Sequence, residues 1–93
     1  MLSINEYFEG AVKSIGYEGP AGRATVGVMA PGSYTFQTKA PETMSVIDGK
    51  LTVKLSSSDS WVDYGPGTRF DVPADSSFEL RVAEPSAYHC SFH

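Results

Sequence analysis

Glycine and proline decide what this chain can fold into. Nine Gly and six Pro are scattered so that the longest run free of both is Lys50–Tyr64, and Ser56, Ser57, Ser58, Asp59 and Ser60 break that run in turn. Proline cannot sit in a helix interior and glycine weakens one, so no window reads as an amphipathic helix. Between the breaks lie short segments of period two, bounded by turn residues at intervals of about ten, which is the pattern of an all-β sandwich or barrel.

The segments expected as strands are Val12–Tyr17, Ala24–Met29, Gly32–Lys39, Glu42–Ile47, Leu51–Leu55, Ser60–Tyr64, Arg69–Val72, Ser77–Val82 and Ala87–Phe92. Alternation is clearest in Leu51, Val53 and Leu55 and in Phe78, Leu80 and Val82. Asp48-Gly49, between two such runs, predicts a type I′ hairpin, because that turn needs positive φ at both central residues. Tyr64-Gly65-Pro66-Gly67 predicts a second tight turn. Asn5–Glu9 reads as an irregular N-terminal arm with Tyr7 and Phe8 packed down. No linker, repeat or shift in composition divides the chain, so residues 1–93 are expected to form one domain.

Seven Lys and Arg against eleven Asp and Glu leave a net charge of −4, the wrong sign for a surface that neutralises phosphate backbones. Nucleic acid is not an expected partner. No apolar stretch approaches the roughly 20 residues that span a bilayer, so no membrane association is expected. The single Cys90 cannot form an internal disulfide, and the N-terminus carries no export signal; a reducing cytoplasm is the expected compartment. The only histidines, His89 and His93, fall in the last five residues. The chain therefore lacks the His and Cys cluster of a transition-metal site, and no metal or other cofactor is expected. A chain of 93 residues buries only about 60–65% of its unfolded surface, and self-association is a natural way to add burial.

The residues resemble the cupin superfamily of small β-barrels. Its first motif places a glutamate seven positions before a turn glycine with two histidines upstream; here Glu42 precedes Gly49, and Phe36 and Thr38 occupy the two histidine positions. Its second motif runs from a glycine through five residues to a proline and on to a third histidine; here Gly67 and Pro73 keep the frame and Phe78 takes the histidine position. The resemblance implies an all-β, single-domain, cupin-like β-barrel of the jelly-roll sandwich type. Of the usual four ligands only Glu42 remains, so metal chemistry is disfavoured.

The chain as a whole is similar to one family within that superfamily, the bacterial pyrimidine/purine nucleoside phosphorylases. The similarity runs nearly end to end, through Asn5-Glu6-Tyr7-Phe8, Val12-Lys13-Ser14-Ile15-Gly16, Gly22-Arg23-Ala24, Val26-Gly27-Val28-Met29, Tyr34-Thr35-Phe36, Met44, Val46-Ile47 and Ala83-Glu84-Pro85. It implies metal-free phosphorolysis of varied ribonucleosides by inorganic phosphate, yielding free base and ribose 1-phosphate. It also implies a homodimer, since cupin barrels often pair through edge strands. A metal-free cupin that binds a small molecule without turnover is the alternative, because fold does not dictate function.

Such chemistry needs a carboxylate near the sugar, anion donors and a wall for the base. Broad acceptance of bases favours stacking over a hydrogen-bond code. In the cupin frame Glu42 points inward and is the catalytic candidate. Phe36, Thr38, Met44, Phe78 and Tyr88 share the interior as substrate-binding candidates, with Phe36 and Phe78 as the stacking wall. Arg23, after the Pro20-Ala21-Gly22 loop, is the phosphate-binding candidate, and backbone N–H groups in the Gly-rich turns are the other source of anion donors. Arg69 and Arg81 alternate with apolar neighbours and should point outward. Trp61 and Tyr64 read as core or dimer contacts. Cys90 reads as a buried thiol in phase with Tyr88, and His89 and His93 fall on the opposite face.

Overall fold

Alternating side chains give each strand one face for the core and one for solvent, and the chain stacks two such faces. The computed structural model describes residues 2–93. Its elements are β1 (Ser3–Tyr7), a 3-10 turn (Phe8–Gly10), β2 (Val12–Gly19), β3 (Gly22–Met29), β4 (Gly32–Gln37), β5 (Glu42–Asp48), β6 (Leu51–Leu55), β7 (Val62–Tyr64), β8 (Arg69–Val72), β9 (Ser77–Val82) and β10 (Ser86–Phe92). All pairings are antiparallel, in a six-stranded sheet ordered β1-β2-β3-β10-β5-β8 and a four-stranded sheet ordered β4-β9-β6-β7. The all-β expectation holds in its sandwich form; strand pairing does not close a barrel, and β1, β8, β4 and β7 remain edges. Among the described residues no helix is long and apolar enough to cross a membrane.

The core lies between the sheets. Val12, Met29 and Val72 from the larger sheet meet Leu51, Val53 and Leu80 from the smaller, all essentially without solvent contact. Each contributes about 1.5–3 kcal/mol relative to an exposed position.

Two local readings need correction. The segment expected to be an irregular arm is strand β1, paired in register with β2 from Ser3–Gly16 to Tyr7–Val12. Irregularity begins only at Phe8, where Phe8, Glu9 and Gly10 all take positive φ, at 53°, 58° and 88°. The missed strand has no apolar inward row to read, because Ser3 and Asn5 are polar while the apolar Ile4 between them faces outward. Asp48-Gly49, expected to close a hairpin, instead carries the chain from β5 in the larger sheet to β6 in the smaller. Gly49 has φ 81° while Asp48 is not left-handed, so the turn is not type I′. A Cβ on Gly49 would collide with Ser86 Oγ, which is why glycine stands at this corner. The second expected turn is present: Pro66 and Gly67, φ 84°, sit inside a turn closed by Thr68 N–H to Gly65 O at 3.1 Å, the pattern of a type II turn.

Two buried hydroxyls tie the corners where the chain changes sheets. Ser86 Oγ accepts the Lys50 N–H at 3.0 Å and faces the carbonyls of Glu84 at 2.9 Å and Lys50 at 3.1 Å. Thr38 Oγ1 donates to Pro73 O at 2.6 Å and accepts the Ser76 N–H at 3.1 Å, joining the β4–β5 and β8–β9 connections. Removing either hydroxyl orphans buried backbone groups, at about 1–3 kcal/mol. Thr38→Val and Ser86→Ala are each expected to lower the unfolding free energy by that amount, read as a lower denaturant midpoint with no change in slope.

Candidate functional site

Phe78 sits at the inner start of β9 and Phe36 at the end of β4, paired across the smaller sheet. Their rings stack at 5.7 Å between centroids and 23° between planes. Phe70 and Phe78 meet edge to face at 6.0 Å, so the core is full behind this pair. In front of it lies a cavity of about 360 Å³, within the range of small-molecule sites.

The larger sheet supplies the opposite wall because its inward positions alternate strand by strand. Ser14 of β2, Thr25 and Met29 of β3, Tyr88, Cys90 and Phe92 of β10, and Glu42 and Met44 of β5 all face the cavity. Tyr88 has room because it lies opposite Gly27; a Cβ there would stand 2.7 Å from the tyrosine hydroxyl. Tyr7, at the end of β1, reaches the same space and meets Phe36 edge to face at 6.0 Å. The mouth carries Arg23, Gln37 and Lys39.

The cavity is acidic within and basic at the rim. Glu42 is half-buried, and its Oε1 accepts the Cys90 Sγ–H at 3.3 Å. Burial raises its carboxyl above the ordinary value, with the thiol hydrogen bond acting weakly the other way. Burial first, and the Glu42 charge second, push the Cys90 thiol up, so it stays protonated as a donor. Burial also pushes the Tyr88 phenol up to about 12 despite the opposing Ser14 hydroxyl, leaving a neutral O–H in the cavity. Arg23 is exposed and lies over the Phe92 ring, 5.3 Å from its centroid. Stacking of this kind leaves the edge of the guanidinium open to an anion.

The residues singled out from sequence thus divide. Glu42, Phe36, Met44, Phe78, Tyr88 and Arg23 come together around one cavity. Thr38 does not join them: it is buried, it lies outside this lining, and its hydroxyl is committed to Pro73 and Ser76. The slot where a cupin would offer an imidazole is thus used to hold a loop. Lys39, Tyr7, Ser14, Thr25, Gln37 and Phe92 were not foreseen. Lys39 was read as the end of a strand, but β4 stops at Gln37, and the freed chain turns Lys39 to the rim. Arg69 and Arg81 point outward as expected, Arg81 lying 3.8 Å from the Trp61 centroid. His89 also faces out, its Nε2 3.1 Å from the Tyr17 hydroxyl.

The donor set does not suit the metal that the cupin frame implies. Phe36 and Phe78 offer no lone pairs, the Thr38 hydroxyl is engaged, and among the described residues no three His, Cys, Asp or Glu side chains cluster. Glu42 beside a protonated thiol is too few donors for a stable divalent site.

A family model described as pyrimidine/purine nucleoside phosphorylase matches residues 2–92. A pyrimidine/purine nucleoside phosphorylase of Pseudomonas entomophila is 55% identical over 92 residues, covering 99% of this chain and 98% of the relative. A crystal structure of a Vibrio parahaemolyticus protein, described as of unknown function, superposes with a TM-score of 0.94 at 47% identity, over 97% of this chain and 96% of that one. An RmlC-like cupin from Shewanella frigidimarina superposes with a TM-score of 0.74 at 15% identity, over 99% and 83% of the two chains, which places the sandwich among cupin folds. With its end-to-end match to that model and to the Pseudomonas relative, this chain belongs to the pyrimidine/purine nucleoside phosphorylase family.

Proposed function

We propose that this protein catalyses phosphorolysis of purine and pyrimidine ribonucleosides to free base and α-D-ribose 1-phosphate, without a metal, as a cytoplasmic homodimer. The observation that carries the reading is a single cavity with an aromatic floor, one half-buried carboxylate and two rim cations, Arg23 and Lys39. Each part meets one demand of the reaction. The base stacks on Phe36, whose face accepts any base. The ribose lies against Glu42, with the Tyr88 hydroxyl as a further donor. Phosphate is drawn to Arg23 and Lys39, neither of which forms an ion pair among the described residues. An oxygen of monohydrogen phosphate bonds to C1′ as the C1′–N bond breaks, the bonding pair leaves with the base, and the phosphate proton ends on the base nitrogen. Positive charge develops on the ribose in the transition state, and the Glu42 carboxylate stabilises it. A buried, protonated Cys90 suits a reducing compartment.

The decisive assay incubates pure, chelator-treated protein with uridine or adenosine, with and without phosphate. Base release only with phosphate is the expected result. No release under either condition identifies a binding protein without turnover, and release without phosphate identifies a hydrolase.

Glu42→Gln is expected to lower kcat by about 10²-fold or more. The pH dependence has a definite sign. Because burial raises the Glu42 carboxyl, the required carboxylate is lost on the acid side at a higher pH than an ordinary glutamate would give, and that acid limb should vanish in the variant. Stability runs the other way: the folded state holds this proton more tightly, so its contribution is full below the unfolded value and is lost as pH rises through the folded one. Glu42→Gln should therefore keep or raise the neutral-pH unfolding midpoint while losing turnover, and a loss of both would assign Glu42 a structural role.

Arg23→Ala and Lys39→Ala are each expected to raise the KM for phosphate about tenfold, the size of one charge-assisted hydrogen bond. The KM for nucleoside should hold. An unchanged phosphate KM in both variants would move the anion site to backbone N–H groups.

A further inference from the structure

Among the described residues four polar side chains are buried: Ser14, Thr25, Thr38 and Ser86. Three have partners. Ser14 Oγ accepts from the Asn5 side-chain amide at 3.4 Å, and Thr38 and Ser86 hold the corners between the sheets. The fourth, Thr25 of β3, is 8% exposed, and its hydroxyl meets no hydrogen-bond partner among the described residues. No side-chain oxygen sealed from solvent lacks a partner there, so the Thr25 oxygen is not sealed, and the space it opens on is the cavity that Thr25 lines. Gly16 of β2 lies opposite Thr25, and a Cβ on it would stand 3.8 Å from the Thr25 methyl. The methyl, not the hydroxyl, is therefore the part of Thr25 nearest β2. A hydroxyl drawn out of bulk water without a partner is destabilising, and a valine would fill the same space with no polar atom.

Strand register decides what lies beside this hydroxyl. Thr25 is opposite Cys90, and Cys90 is opposite Met44. Arg23, two residues earlier on β3 and so about 6.6 Å away along the strand, lies over Phe92, which is opposite Glu42. One register step thus separates the charged row at the mouth from the neutral row that holds Thr25.

We infer that the Thr25 hydroxyl is a substrate-binding group that takes a ribose hydroxyl of the nucleoside, one register step inward of the phosphate. Resting on the phosphorolysis reading, this subsite adds to it the residue that recognises the sugar. A hydroxyl of fixed position, which donates and accepts, discriminates among bases, whose edges differ in donors and acceptors. A site that takes purines and pyrimidines alike places such a group on the part its substrates share, and that part is the sugar. The order of the rows agrees: phosphate belongs with Arg23, and the ribose it attacks belongs beside it, between Glu42 and Thr25.

Calorimetric titration of the full chain with adenosine and with uridine, which have only the ribose in common, tests the assignment in Thr25→Val and Thr25→Ser. Phosphate-free buffer keeps phosphorolysis from proceeding during the titration. Valine keeps the β-branched shape, and serine keeps the hydroxyl. Thr25→Val is expected to weaken both nucleosides equally, about tenfold, the size of one hydrogen bond. Thr25→Ser should bind both within about twofold of the native chain, since its hydroxyl makes the same bond. Because this hydroxyl has no partner in the protein, Thr25→Val should also keep or raise the denaturant midpoint, the opposite of Thr38→Val. A lowered midpoint or a failure to fold makes the hydroxyl structural and overturns the inference. Unchanged affinity in Thr25→Val overturns it too, as does a loss in Thr25→Ser equal to that in Thr25→Val. A loss confined to one nucleoside assigns Thr25 to the base and overturns the sugar subsite. If the native chain binds both nucleosides but releases no base when phosphate is added, the phosphorolysis reading fails, and the same affinities still uphold or overturn the subsite. A native chain that binds neither overturns both.

Discussion

Six of the nine connections between strands carry the chain from one sheet to the other, and at each the backbone leaves a hydrogen-bonded ladder inside or beside the core. Buried peptide groups without partners cost as much as the bonds they forgo, so the sandwich depends on how these corners are satisfied. Thr38 and Ser86 do it with side-chain hydroxyls. Tyr34 does it at the β3–β4 corner by donating to Ala30 O at 2.5 Å. At the β7–β8 corner the ladder borrows from β5, with Gly67 N–H to Val46 O and Val46 N–H to Thr68 O, both 2.9 Å. Among the described residues no buried side-chain nitrogen or oxygen lacks a partner. The rigid corners leave the inner faces free to be filled unevenly, packed at one end and hollow at the other.

The hollow end is where this chain departs from the metal chemistry that the cupin frame in its sequence implies. A cupin frame that keeps its glutamate but loses its imidazoles has an interior carboxylate with no cation to neutralise it. Holding a carboxylate half out of water is costly; burial therefore raises its proton affinity, and the one thiol hydrogen bond offsets this only in part. Such a group is poised to respond to positive charge, and Arg23 and Lys39 carry it at the rim of the same cavity.

The strands and their inward faces were legible because period-two alternation survives in nearly all of them. Phe78, Leu80 and Val82 point inward as written. So do Tyr88 and Cys90, and with them Glu42 and Met44. Three things were not legible. Strand β1 alternates too little, since Ile4 faces outward on an apolar patch. The Asp48-Gly49 dipeptide has the composition of a hairpin, but composition does not say which partner each flanking strand will choose. Thr38 matched a ligand position in the motif, and only the loop that comes to meet it determines what its hydroxyl does.

By itself the sequence determined that this chain is all-β, that its apolar faces alternate, that it lacks the ligands for a cupin metal, and which family it resembles. Those properties are local or compositional: they follow from residue type, spacing of two and the placement of turn formers. Only the tertiary structure decided that Arg23, Lys39, Tyr7, Phe36 and Glu42 share a cavity, that Thr38 does not, and that the apolar side chains of three neighbouring strands form one outward row. These depend on which strands pair and in what register, and an antiparallel register is set by long-range packing that no local pattern encodes.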